Sequence, residues 1–173
     1  MASTNIQTVP SSSTSSSKPL PEYDVFLSFR GEDTRHKFTD HLYHALNFNR
    51  INTFKDDREL EIGKPISQEL LDAIEKSRIV VIIFSENYGS FTWCLEELAK
   101  IVECRERGIL TVLPISYHVE PTDVRHQRKT FEAAFSKHEE CFQENPEVVE
   151  KWRVTLREVT KIAGKHLGEG KHF

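Results

Sequence analysis

The sequence IVVIIF at residues 79–84 is apolar at every position and shows no alternation with polar residues. This pattern is typical of a strand in the middle of a parallel sheet, where helices cover both faces. A polar loop follows it, and apolar residues then recur at helical spacing from Leu95 onward. We therefore take residues 79–84 as the central strand of an α/β domain and place the rest of the chain around it.

Three further segments predict strands that alternate with helices. They are YDVFLSF at 23–29, INTF at 51–54 and LTVLPI at 110–115, in which Pro114 indicates a sheet edge or a strand end. Apolar residues at helical spacing predict helices around 38–46, 66–74, 95–102, 131–138 and 148–163. This alternation implies right-handed βαβ units and a parallel sheet. The sheet has room for a short fifth strand, but no segment of the sequence marks its position.

Composition indicates one folded domain behind a tail. Residues 1–20 are mostly Ser, Thr and Pro and predict a disordered segment, with a transit peptide as the alternative. The domain is expected at 21–167, and residues 168–173 form a C-terminal tail or the start of a linker. The hydrophobic fraction of 38% is enough for a core in a chain of 173 residues.

Charge and cysteine content restrict the partners and the compartment. A net charge of -4 makes nucleic acid an unlikely partner, and no apolar run approaches the roughly 18 residues that span a bilayer. The three cysteines are odd in number and show no CxxC pair. We therefore expect no disulfide framework, no metal site and a reducing compartment, the cytoplasm or also the nucleus.

Charged residues follow the first strand directly, where an open parallel sheet collects its ligands. In SFRGEDTR, residues 28–35, Arg30 and Arg35 are able to hold a phosphate by forked hydrogen bonds. The alternative is a charged helix entry, with Glu32 and Asp33 near the helix start and Arg35 paired to one of them. The glycine pattern matches neither GxGxxG nor a P-loop, so the common nucleotide fingerprints are absent from the sequence.

Two adjacent acids lie near the start of the helix after the central strand. Leu95, Leu98 and Val102 define its buried stripe, and adjacent helical residues point about 100° apart. Glu97 therefore lies beside the stripe, and Glu96 turns further toward water. Glu97 is a site candidate, with a simple helix-dipole acid as the alternative.

Taken in order, five motifs resemble the TIR (Toll/interleukin receptor/resistance) domains of plant immune receptors. They are YDVFLSFRGEDTR (23–35), DDRELEIGKPI (56–66), SENYGSFTWCLEEL (85–98), PISYHVEPTDVRHQ (114–127) and KWR (151–153). The resemblance implies a flavodoxin-like fold with strand order 2-1-3-4-5. It also implies a self-associating domain that cleaves NAD, with NADP as a further candidate substrate, to ADP-ribose and cyclic nucleotide signals read by downstream immune proteins.

The resemblance also assigns roles to particular residues. The catalytic glutamate of the family corresponds to Glu97. The remaining matched positions form the expected nucleotide site: Arg30, Gly31, Arg35, Ile62, Gly63, Ser85, Tyr88, Phe91 and Trp93. Two of these depart from the family pattern, since Phe91 replaces a serine and Ile62 replaces an arginine.

Self-association is the second property that the resemblance implies. The expected contacts are Asp40 and His41 in the first helix and Lys151 and Trp152 in the last one. Relatives have serine where this chain has Asp40, so like charges would repel across a symmetric contact unless a Lys or Arg meets them. We therefore expect weak dimerisation.

Two alternatives to NAD hydrolysis stay open. The first is an interaction module without catalysis that recruits other TIR domains. The second is nucleic-acid hydrolysis or cyclic-nucleotide synthesis, which the acidic pI of about 6.1 makes less expected for a polyanionic substrate.

Overall fold

Five parallel strands form the sheet of this protein, whose computed structural model describes residues 20–56 and 65–168. The side chains of Arg35 and His36 are not part of that description. The strands are β1 (Tyr23–Phe29), β2 (Thr53–Lys55), β3 (Ser77–Phe84), β4 (Thr111–Tyr117) and β5 (Lys165–Leu167). Their order, β2-β1-β3-β4-β5, confirms the flavodoxin-like order that the resemblance implied.

Helical segments connect the strands. They are α1 (Gly31–Thr34), a π-helical turn (Arg35–Thr39), α2 (Asp40–Phe48), α3 (Gln68–Glu75), a 3-10 turn (Tyr88–Ser90), α4 (Thr92–Glu106), α5 (Pro121–Arg125), α6 (Thr130–Cys141) and α7 (Pro146–Thr160). Helix α3 begins after Ser67, whose hydroxyl accepts a 3.3 Å hydrogen bond from the Leu70 amide. None of these helices, within the described ranges, has the length and apolar character needed to cross a bilayer.

The central strand is buried on both faces over most of its length, as its sequence predicts. Val80, Ile82 and Phe84 pack in a core shared with α3 to α7. Val81 and Ile83 belong to a smaller core on the opposite face, beneath α2. This packing on both faces fixes the position of the carboxyl end of β3, where the loop that leads to α4 and Glu97 begins.

The prediction of a sheet edge or strand end at Pro114 is wrong. Strand β4 continues to Tyr117 and lies between β3 and β5, with Pro114 opposite Ile82 on β3. The proline fits there because ladder pairing with β5 begins only at the next residue, Ile115. The chain passes Pro114 so closely at Gly164 that a Cβ atom there would lie 2.1 Å from the Pro114 carbonyl oxygen.

Candidate active site

Glu97 lies in the second turn of α4, beyond the carboxyl ends of the first two strands. Only 7% of the residue is exposed. The Ser28 hydroxyl at the end of β1 and the charge of Asp56 just beyond β2 both affect the pKa of the Glu97 carboxyl group. Glu96 is less buried, as the helical spacing predicts. The Glu97 side chain is therefore placed on the side of α4 where a parallel sheet binds its ligands.

Burial changes the ionisation of Glu97. It raises the pKa of the carboxyl group from its ordinary value of 4.5 to about 8, because the charged form loses its hydration. The hydrogen bond from Ser28 lowers the pKa, and the negative charge of Asp56 raises it. At neutral pH the free protein therefore holds Glu97 mostly protonated.

Tyr88 is a core residue rather than part of the rim of the crevice. The residue is fully buried, its ring meets Phe84 edge-on at 5.0 Å, and its hydroxyl lies 3.0 Å from the Ser28 hydroxyl. The predicted direct contact of Tyr88 with a nucleotide is corrected accordingly. The resemblance gave Tyr88 a place in the motif, but the motif alone does not say which way the ring points.

Asp33 connects the end of β1 to the loop after β3. One carboxylate oxygen accepts hydrogen bonds from the Ser85 hydroxyl at 2.6 Å and from the Asn87 amide at 3.0 Å. The other accepts from the Asn87 side chain at 3.3 Å and from the Arg30 guanidinium at 3.2 Å. Ser85, expected at the nucleotide, thus donates its hydroxyl hydrogen to Asp33.

Arg30 is held over the aromatic ring of Phe91. The guanidinium carbon lies 4.5 Å from the ring centroid, and a second ion pair joins Arg30 to Glu32 at 2.8 Å. Its buried Nε atom has no hydrogen-bond partner among the described residues. Phe91, which replaces a serine of the family pattern, therefore supplies a surface for the arginine in place of a hydroxyl.

The other expected nucleotide residues are placed less completely. Gly31 is the first residue of α1, and Trp93 is half-buried in the first turn of α4. Arg35 is described only as backbone, in the π-helical turn. Ile62 and Gly63 lie outside the described residues. Within the described ranges, His, Cys, Asp and Glu side chains form no group of three or more able to hold a metal.

A cavity among the described residues lies on the β4–β5 side of the sheet, away from Glu97. It encloses about 470 Å³ beside the carboxyl ends of β4 and β5, and its lining includes His118, Asp123, Arg128 and His166. Glu97 is not one of its lining residues. Residues 57–64, which follow Asp56 in the sequence, lie outside the described ranges.

The expected self-association residues fall into two groups. Asp40, His41 and Lys151 are accessible on α2 and α7, and Lys55 from β2 donates to the Asp40 carboxylate at 2.7 Å. The positive charge expected to offset repulsion between Asp40 residues in a symmetric contact is thus supplied by Lys55 of the same chain. Trp152 is 2% exposed, so its expected role as a direct contact is corrected. Its ring packs inside against His138 and Phe142.

Sequence reasoning missed Ser28, Asp33 and Lys55 as organising residues of this region. Asp33 was considered only as a helix-dipole acid, and Ser28 only as part of a strand. Their partners lie between 15 and 60 residues away in the sequence, so local spacing carried no signal for them. The one signal available in the sequence was Ser28, a polar residue near the end of the buried strand β1.

Comparison with known proteins gives a consistent picture. The TIR domain family model matches residues 22–172. The chain is 49% identical over 150 residues to TMV resistance protein N of Nicotiana glutinosa, and 49% identical over 173 residues to Disease resistance protein RPV1 of Vitis rotundifolia. These alignments cover 87% and 99% of this chain but only 13% and 12% of the two relatives.

A solved structure agrees with the sequence comparison. It is the activated Roq1 resistosome directly recognizing the pathogen effector XopQ, whose TIR domains match with a TM-score of 0.77. The sequence identity is 49%, and the match covers 83% of this chain and 87% of that one.

Proposed function

This chain belongs to the TIR domain family, and on that premise we propose that it self-associates and hydrolyses NAD between nicotinamide and ribose. The products are ADP-ribose and cyclic ADP-ribose-type nucleotides, which trigger defence and cell death through downstream immune proteins. Two of its relatives are named resistance proteins, and a third forms a resistosome, which supports a role in immune signalling.

One observation carries the catalytic proposal, the burial of Glu97 at the carboxyl ends of β1 and β2. Nicotinamide in NAD is cationic and leaves as a neutral base, so the reaction needs no general acid of the kind that glycosidases use. Positive charge grows on the ribose instead. A fixed carboxylate beside the ribose stabilises that charge in the transition state.

The protonated state of Glu97 in the free protein fits this chemistry in a specific way. A cationic nicotinamide riboside next to the carboxyl group favours its ionised form, so binding of NAD lowers the pKa of Glu97 from about 8. Binding is therefore coupled to the release of a proton. Since only the carboxylate stabilises a cation, kcat/KM falls as the pH drops below about 8.

An assay of nicotinamide release tests the proposal. The concentrated chain is incubated with NAD, beside the variants Glu97→Ala and Glu96→Gln. We expect Glu97→Ala to lose roughly 10²- to 10³-fold in turnover, as for the loss of one electrostatic stabiliser, and Glu96→Gln to retain it. An unchanged rate in Glu97→Ala ends the catalytic assignment.

A second candidate function is a TIR–TIR interaction module without catalysis. Two observations favour it: none of the residues of α2 is buried, with Phe48 88% exposed, and the 470 Å³ cavity does not include Glu97. Self-association without nicotinamide release would select this function.

A further inference from the structure

The cavity of about 470 Å³ beside the carboxyl ends of β4 and β5, here called the β4–β5 cavity, has no role in the proposed catalysis. Glu97 does not line it. Its volume is in the range of sites that bind small molecules. Ligands of open parallel sheets bind beyond the carboxyl ends of the strands, which is where this cavity lies.

Left-handed backbone conformations are concentrated around the β4–β5 cavity. Three of the four non-glycine residues with positive φ in the described ranges line it or adjoin its lining: His118 (φ 54°), Gln127 (φ 47°) and Lys129 (φ 55°). Such conformations are unfavourable for residues that carry a side chain, and they persist only where surrounding contacts impose them. They cluster at ligand sites, which favours a binding role for this cavity.

Buried hydrogen bonds build the turn before α6. Gln127 is 6% exposed, and its side-chain nitrogen donates to the carbonyl oxygens of Val124 at 3.1 Å and Arg125 at 2.8 Å. The Arg128 amide donates to the Asp123 carbonyl at 2.8 Å. These bonds fix the backbone that carries the Arg128 side chain at the wall of the cavity, so less order has to be gained when a ligand binds.

Hydrogen bonds also join the walls of the cavity to one another. The Thr130 hydroxyl donates to the Glu86 carbonyl at 2.6 Å, which attaches the start of α6 to the loop after β3. The His118 amide donates to the Leu167 carbonyl at 2.8 Å and connects the ends of β4 and β5. Glu86 itself is exposed, so water solvates its carboxylate.

Charged groups of both signs line the cavity. Lys129 Nζ lies 2.6 Å from the Asp123 carboxylate, and His166 Nε2 lies 3.8 Å from that of Glu120. Arg128, by contrast, forms no ion pair with any residue that the structure describes. Its guanidinium is therefore a cation available to a ligand, and its forked donors match the oxygens of a phosphate group. The Glu120 carboxylate is an acceptor for sugar hydroxyls.

Ring surfaces complete the lining. Phe131 is 1% exposed, and the imidazole of His118 stacks on Tyr117 with ring centroids 4.2 Å apart. Both Phe131 and His118 line the cavity, together with Val119. Apolar and aromatic walls with a few charged groups are the usual composition of a small-molecule site.

We propose that the β4–β5 cavity binds a nucleoside monophosphate. Arg128 binds the phosphate, Glu120 accepts hydrogen bonds from the ribose hydroxyls, and His118 and Phe131 contact the base. The site is distinct from the crevice at Glu97, and its existence does not depend on NAD hydrolysis.

An NMR titration of the 173-residue chain with AMP tests the proposal. We expect saturable shifts of the backbone amide signals of His118, Arg128 and His166. AMP is also one half of NAD, so the location of the shifts decides between two sites. Shifts confined to Glu97 and Trp93 would place AMP in the other crevice, which would overturn this proposal and leave NAD hydrolysis standing.

Arg128→Gln tests phosphate recognition at an exposed residue. We expect the dissociation constant of AMP to rise about tenfold or more, as for the loss of hydrogen bonds between charged groups. Arg107→Gln is the matched control, because Arg107 is an exposed arginine at the end of α4 that pairs with Glu75 and Glu103. An unchanged constant in Arg128→Gln, or an equal rise in both variants, would overturn the proposal.

Two fragments of AMP test the class of ligand. Adenosine lacks the phosphate and inorganic phosphate lacks the nucleoside, so each should bind roughly tenfold or more weakly than AMP. Adenosine should bind equally to the parent chain and to Arg128→Gln. If adenosine binds as tightly as AMP, the phosphate is not recognised; if inorganic phosphate does, the nucleoside is not. Either result overturns the assignment to a nucleoside monophosphate.

Discussion

The Ser85 hydroxyl donates a 2.6 Å hydrogen bond to the Asp33 carboxylate, although 52 residues separate the two in the sequence. This bond and those from Asn87 attach the loop after β3 to the start of α1. Since α4 follows that loop, the position of Glu97 depends on an aspartate that makes no contact with it.

Replacing Asp33 by alanine should therefore destabilise the domain. The change leaves Ser85, Asn87 and the partly buried Arg30 without their common acceptor, at a cost of about 2–3 kcal/mol in the free energy of unfolding. Urea unfolding of the parent chain and of Asp33→Ala measures this loss in the free energy of unfolding. Glu32→Ala is the control, because its exposed ion pair with Arg30 contributes at most about 1 kcal/mol. Equal losses in both variants would contradict this reading.

Glu97 should make the stability of the domain depend on pH. In the unfolded chain the carboxyl ionises near its ordinary pKa of 4.5, and in the folded chain near 8. Between these values the folded state holds the additional proton, so the free energy of unfolding falls as pH rises from about 4.5 to about 8.

Glu97→Gln should remove this penalty. We expect the variant to gain on the order of 3–5 kcal/mol above pH 8 and almost nothing near pH 4. Denaturant unfolding at the two pH values checks it, with Glu96→Gln as the control. A gain of the same size at both pH values would exclude ionisation as its cause.

Gly164 should tolerate no side chain. A Cβ atom at this position would lie 2.1 Å from the carbonyl oxygen of Pro114, so Gly164→Ala must displace β5 from β4. We expect a loss of about 1–3 kcal/mol in thermal or urea unfolding. Gly168→Ala is the matched control, since a Cβ atom there meets nothing within 4 Å. Unchanged stability in Gly164→Ala would show that the chain follows another path here.

Phe48 should contribute to self-association. It is 88% exposed at the end of α2, and an apolar ring in water gains free energy when a partner covers it. We expect Phe48→Ser to raise the dimer dissociation constant about tenfold in sedimentation equilibrium. Leu20→Ser, at an 89% exposed site before β1 and outside α2 and α7, should leave it unchanged. The reverse ranking would place the contact near the start of β1.

Four of the strands and most of the helices could be anticipated because they depend on local patterns, whereas the strand order came from the resemblance. The uninterrupted apolar run IVVIIF predicts that β3 is buried on both faces. The spacing of Leu95 and Leu98 predicts that Glu97 is more buried than Glu96, and this is the case. Boundaries were less certain: α4 begins at Thr92, before its apolar stripe.

The organisation of the site could not be anticipated in the same way. A motif that names Tyr88 and Trp152 does not separate an aromatic ring that contacts a partner from one that fills the core. The pKa of Glu97 depends on how completely α4, β1 and the segment beyond β2 exclude water. That quantity belongs to the packed structure and not to any local stretch of sequence.

Lys55 and Asp56 are neighbours in the chain, yet Lys55 acts on residues of α2 and Asp56 on a residue of α4. Lys55 forms an ion pair with Asp40, and its Nζ atom lies 4.6 Å from the centroid of the Tyr43 ring on α2. The charge of Asp56 raises the pKa of Glu97. The residue that ties α2 to the sheet and a residue that raises the pKa of Glu97 are thus joined by a single peptide bond.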